Sequence, residues 1–105
     1  MTDARVVLST IGNADDAKRV SRLLVEERLA ACVSAMPVES CYMWEGKLAE
    51  DAERLLVIKT TAGSLAALER RLRELHPYAV PEFVVIEPES VATSYLAWLV
   101  ESVNA

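Results

Sequence analysis

The segment Leu75-His76-Pro77-Tyr78-Ala79-Val80-Pro81-Glu82 constrains this chain more than any other, because its two prolines end one element and aim the next. Pro77 disfavours helical geometry at His76, and Pro81 does the same at Val80. A helix therefore stops near Leu75 and the chain leaves it extended. Phe83, Val84, Val85 and Ile86 then read as a strand, with Pro81 at its entry, where a missing N–H costs no ladder bond. His76, the only histidine, and Tyr78 are thereby placed on a stiff connector. Connectors of this kind often carry binding groups, although residue chemistry alone names no reaction here.

The rest of the chain supplies the partners of that joint. Val6, Val7 and Leu8 lie consecutively within Arg5 to Thr10, which suits a strand covered on both faces. Gly12 punctuates, and Asn13 or Asp15 can cap a helix in which Ala17, Val20, Leu23, Leu24 and Ala31 form the apolar side over about four turns. Cys32 to Met43 is β-compatible, and Pro37 marks a bend or an edge. Trp44 to Lys47 reads as a hairpin turn, with Gly46 free to take positive φ. Residues Leu48 to Arg54 alternate, whereas Leu55, Leu56, Val57 and Ile58 are uniformly apolar. This predicts an exposed outer half and a doubly covered inner half of the returning strand. On that outer half, Glu50, Asp51 and Glu53 read as a solvated face.

Ser64 is the expected N-cap of a second helix, in which Leu65, Leu68, Leu72 and Leu75 recur with a clean helical period. Thr93 or Ser94 is the expected cap of a last helix carrying Tyr95, Leu96, Trp98, Leu99 and Val103. Strand, helix, strand, hairpin, strand, helix, strand is the split βαβ pattern. The predicted fold class is α+β, a ferredoxin-like βαββαβ sandwich with a long β2–β3 hairpin and an extra C-terminal helix. Right-handed crossovers place strands one and three at the centre of a four-stranded antiparallel sheet. Two helices cover one face of such a sheet. The final helix covers part of the other, and a second subunit is the economical cover for the rest.

Composition narrows the function. A chain of 105 residues with 52% apolar content fits one domain, residues 1–105, with a sufficient core. A net charge of -5 argues against nucleic-acid partners, which demand clustered Lys and Arg. Apolar runs fall well short of the roughly 20 residues of a membrane span, and Met1 to Asp3 opens no leader pattern, so a cytoplasmic protein without membrane partners is expected. Cys32 and Cys41 on one extended segment stand roughly 30 Å apart if it is straight. A disulfide needs about 7 Å or less, so both are expected as reduced thiols. No Ser/His/Asp set, phosphate loop or paired-carboxylate motif occurs, and no enzyme is expected.

Several ordered words then carry a family resemblance: VEERLAACV at Val25 to Val33, YMWEGK at Tyr42 to Lys47, IKT at Ile58 to Thr60, HPYAVPE at His76 to Glu82 and YLAWL at Tyr95 to Leu99. Across residues 5–101 the chain resembles the CutA divalent-cation tolerance family. The resemblance implies a tight homotrimer built from sheet edges and the long hairpin, with an architecture similar to PII signalling proteins. It also implies tolerance to divalent metals such as copper, with no established catalytic cycle. Some relatives carry a cysteine where Ser9 stands and a histidine where Leu75 stands, which leaves His76 as the one matching metal ligand. Copper or another divalent cation is therefore expected to bind weakly, with no obligatory cofactor, and the other reading of His76 is a hydrogen-bonded structural group. The resemblance locates an inter-subunit ligand cleft, for which Tyr42, Trp44, Glu45, Lys47, Lys59, Tyr78 and Glu82 are the candidates. Tyr42 and Trp44 either stack on a ligand or anchor the hairpin on a neighbour. The charged members either line a pocket or form surface ion pairs.

Overall fold

The computed structural model describes residues 3–103. In chain order it contains β1 (Ala4–Ile11), α1 (Ala14–Glu26), β2 (Cys32–Trp44), β3 (Lys47–Thr61), a 3-10 turn (Ala62–Ser64), α2 (Leu65–Leu75), β4 (Val84–Ile86) and α3 (Thr93–Ser102). The sheet order is β2-β3-β1-β4, with every neighbouring pair antiparallel. Strands β1 and β3 are central, as the split βαβ pattern requires.

Strand alternation divides the sheet into two unlike faces. Val7, Ile11, Leu56 and Ile58 point at the helices and pack with Val20 and Leu24 of α1 and Leu68 and Leu72 of α2. Truncating one of these, such as Leu24→Ala, removes transfer energy and opens a cavity, a loss of about 2–5 kcal/mol. On the opposite face α3 covers one end, where Leu99 and Val103 join Ala4 and Ala31 in a second cluster. The remainder is open: alternation places Val6, Leu8, Leu55 and Val57 there, and Met36, Val84 and Ile86 are 44%, 46% and 43% exposed.

Several local expectations are corrected. The first helix ends at Glu26, and Ala31 lies beyond it. Arg28 takes φ 61, its N–H bonds Val25 O, and the N–H of Leu29 bonds Leu24 O. This is a Schellman stop with arginine in the position usually held by glycine, which is why composition does not announce it. Arg28 is held there by its guanidinium, which donates to Glu101 O at 2.8 Å. Ser64 does hold the N-cap position of α2 but makes no side-chain cap bond; the chain enters α2 through the 3-10 turn, and Thr61 Oγ1 donates to Ser64 Oγ at 3.2 Å. The cap position of α3 is Ala92, so neither Thr93 nor Ser94 caps it. Strand β4 is shorter than expected, leaving Pro81 and Phe83 outside it; Phe83 instead packs against the main core.

The hairpin is a continuous two-stranded ribbon, paired from Cys32↔Lys59 to Trp44↔Lys47. Its turn uses positive φ at both Glu45 (51°) and Gly46 (78°), the geometry whose twist matches that of the strands. Pro37 lies within β2 opposite Arg54, and β2 is an edge strand, where proline is tolerated.

Candidate functional site

The connector after α2 folds back over the end of β1. The N–H of His76 still bonds Leu72 O at 2.8 Å, after which its extended backbone (ψ 133) turns the chain away from the helix, the geometry imposed by Pro77. His76 is 7% exposed. Its Nε2 donates to Thr10 O at 2.7 Å, and its Nδ1 accepts the backbone N–H of Tyr78 at 3.1 Å. A carbonyl can only accept and an amide N–H can only donate, so these partners select the neutral ring protonated at Nε2. His76 therefore pins the connector to β1 with both nitrogens.

Tyr78 stacks at a tilt on His76, with ring centroids 4.7 Å apart, and its Oη donates to Glu53 Oε2 at 2.6 Å. Burial, followed by the hydrogen bond to the Glu53 carboxylate, pushes the Tyr78 phenol above its ordinary value. Glu53 is 4% exposed, which overturns the solvated-face reading for this residue. The reason is register. Ile11, the last residue of β1, pairs with Arg54, so Glu53 stands one step beyond the end of that strand. Gly12 follows Ile11 and has no side chain to fill the space, and Tyr78 takes it; a Cβ on Gly12 would lie 3.1 Å from Tyr78 Oη.

Between this connector and the hairpin lies a cleft of about 580 Å3. Tyr42, Trp44, Tyr78 and Glu82, four of the expected residues, line it together with Asp51 and Glu53. Tyr42 Oη donates to Asp51 Oδ2, an interaction that raises the Tyr42 phenol, and Thr10 Oγ1 donates to Glu82 Oε1 at 3.5 Å. Glu45 and Lys47 flank Gly46 at the hairpin turn and do not line the cleft. Lys59 is at the other end of the ribbon, where Nζ donates to Ser34 Oγ at 2.8 Å and approaches Cys32 Sγ at 3.9 Å. His76 lies behind the cleft wall rather than in it. Asp51 and Glu53, which the sequence suggests as part of a solvated face, are cleft residues. Their signal is the period of two that places them on one side of β3 with Leu55 and Val57.

Cys32 and Cys41 are free thiols, half-buried and exposed respectively. Among the described residues no group of three or more His, Cys, Asp or Glu is arranged to hold a metal ion, and no helix is long and apolar enough to cross a membrane.

Residues 5–102 match the sequence model of the CutA1 divalent ion tolerance protein family. This chain belongs to that family. It is 44% identical over 98 residues to the divalent-cation tolerance protein CutA of Thermus thermophilus, covering 92% of this chain and 95% of that one. Against the CutA protein of Thermotoga maritima the identity is 40%, over 93% of this chain and 97% of the relative. The crystal structure of CutA from Xylella fastidiosa superposes with a TM-score of 0.95 at 38% identity, covering 98% of this chain and 100% of that one. The CutA1 assignment thus agrees with the ferredoxin-like α+β fold.

Proposed function

We propose that this chain is a homotrimeric divalent-cation tolerance protein, one CutA-like domain over residues 1–105, cytoplasmic and without catalytic activity. The observation that carries the assembly is the uncovered sheet face. Val6, Leu8, Leu55 and Val57 continue into the exposed Met36, Val84 and Ile86, next to two unpaired sheet edges at β2 and β4. Apolar surface and open edges in one place are what a neighbouring copy covers. In this reading Trp44, 50% exposed near the hairpin turn, reaches the neighbour, and the cleft beside it is completed by the assembly.

Metal binding is weak in this proposal, and copper is the favoured ion because it outranks zinc and nickel on a nitrogen ligand. To coordinate it, His76 must release either Thr10 O or the Tyr78 amide, so the metal competes with a formed hydrogen bond. A second reading, a PII-like scaffold trimer that takes a small ligand, is favoured by the aromatic lining of the cleft.

Light scattering at low micromolar concentration tests the assembly, with a mass three times the 11.6 kDa chain expected. A folded monomer rejects it. Copper titration calorimetry on the wild type and on His76→Ala then tests the metal reading, with weak binding that disappears in the variant. Tight binding that persists in the variant places the metal elsewhere, with the thiols of Cys32 and Cys41 first in line.

A further inference from the structure

We infer that α3 is a strap that opens separately from the rest of the fold, and that Arg28 is its latch. The helix stands apart from the main core. Within it Leu99 is the buried residue, and with Val103 it rests on Ala4 and Ala31, whose side chains are single methyl groups. Val91 and Leu96 pack beside this cluster, which shares no member with the core between the sheet and the first two helices. A helix of ten residues is marginal by itself and depends on its packing. Its ends add little. Ala92 offers no side-chain cap, the first turn holds no acid, and the last turn holds no base but does hold Glu101, whose charge opposes the helix dipole. Residues 87–92, which lead into α3, are neither helix nor strand. A segment with few apolar contacts and bare ends opens at a lower free energy than the core it rests on.

The tie at the far end comes from another element. Arg28 Nη2 donates to Glu101 O at 2.8 Å across 73 positions of chain and brings to the last turn of α3 the cation that the helix lacks. It does so from a left-handed backbone, φ 61, which any side chain disfavours and glycine does not. For the end of α1 alone, glycine is the better residue. Arginine there gives up backbone stability and gains a hold on α3. These opposite demands on one position distinguish a latch from a simple helix stop. Both the tie and the small cluster form within one chain, so neither depends on a neighbouring copy. Lifting the strap bares Ala4 and Ala31 and lengthens the open sheet face at that end.

Amide hydrogen exchange on the full-length protein in its native assembly tests the strap and the latch. Corrected for intrinsic rates, the amides of Trp98, Leu99 and Val100 are expected to exchange at least about 100-fold faster than those of Val7 and Ile58 in the central strands. Arg28→Gly relieves the left-handed backbone and removes the latch. Exchange in α3 is therefore expected to speed up about three- to tenfold, the share of one exposed charge-assisted hydrogen bond. Exchange in the central strands is expected to hold or slow, because the end of α1 now carries its favoured residue. Equal protection of α3 and the central strands in the wild type overturns the strap, whether the rest of the fold or a neighbouring copy holds the helix down. Unchanged α3 exchange in Arg28→Gly, or the same change in both regions, overturns the latch.

Discussion

Tyr78 Oη sits 2.6 Å from Glu53 Oε2 and joins the connector after α2 to the middle of the hairpin, 25 positions away in the chain. The bond closes the inner end of the cleft and satisfies a carboxylate that has almost no access to water. Tyr78→Phe removes the donor and leaves Glu53 buried without it, so a loss of about 1–3 kcal/mol is expected in chemical denaturation. A loss near zero would show that Glu53 turns out to solvent instead.

The same tyrosine makes stability fall in alkali. Its folded value is raised above the ordinary 10.0, by burial first and by Glu53 second. Below pH 10 both the folded and unfolded phenols are protonated and the contribution is fully present. Above pH 10 the unfolded chain ionises first, and the contribution is lost progressively as pH rises through the folded value. Melting temperatures of the wild type are expected to drop more steeply above pH 10 than those of Tyr78→Phe. Parallel slopes count against the assignment.

Gly12→Ala puts a methyl 3.1 Å from Tyr78 Oη, a tighter than ordinary contact with the hydroxyl that Glu53 holds. The ring must give by a few tenths of an ångström, which loads that bond. The expected cost is about 1–2 kcal/mol. In a Tyr78→Phe background it should shrink, because the oxygen in the way is gone, and a double-mutant cycle measures the difference.

Ser9 faces the helices from the centre of β1, fully buried, with an Oγ that has no hydrogen-bond partner. Ser9→Ala removes the unsatisfied hydroxyl without altering the strand. Denaturant midpoints are expected to rise by the equivalent of about 1 kcal/mol. A decrease would mean that the hydroxyl is satisfied in solution.

On the helical layer, Arg71 forks onto Glu27, with Nε to Oε1 and Nη2 to Oε2 both at 2.8 Å, and tethers α2 to the end of α1. That hydrogen-bonded pairing lowers Glu27 below its ordinary 4.5. The contribution is therefore present above pH 4.5 and is lost as pH falls through the lower folded value. Arg71→Gln should flatten the acid side of the stability profile. The effect is a small one at an exposed site and should shrink further in salt.

The amino-acid order by itself determined the elements and their arrangement. Two leucine-spaced helices, apolar strands, Gly46 at a turn and prolines flanking His76 leave few alternatives to the split βαβ topology. These are local signals, set by backbone sterics and by the period of burial. The arginine-stopped end of α1 was not legible in this way, because a left-handed residue without glycine is stabilised by a bond to Glu101 that only folding brings near. The cleft was legible in half. Tyr42, Trp44, Tyr78 and Glu82 stand in conspicuous words, whereas Asp51 and Glu53 look like ordinary charges on an exposed ribbon. Only tertiary structure decided that Glu53 is buried, because its burial depends on β1 ending at Ile11, on an empty side chain at Gly12 and on a phenol arriving from residue 78. The charge environment of a side chain is a long-range property, and sequence spacing carries it only where strand register or helix period makes it local.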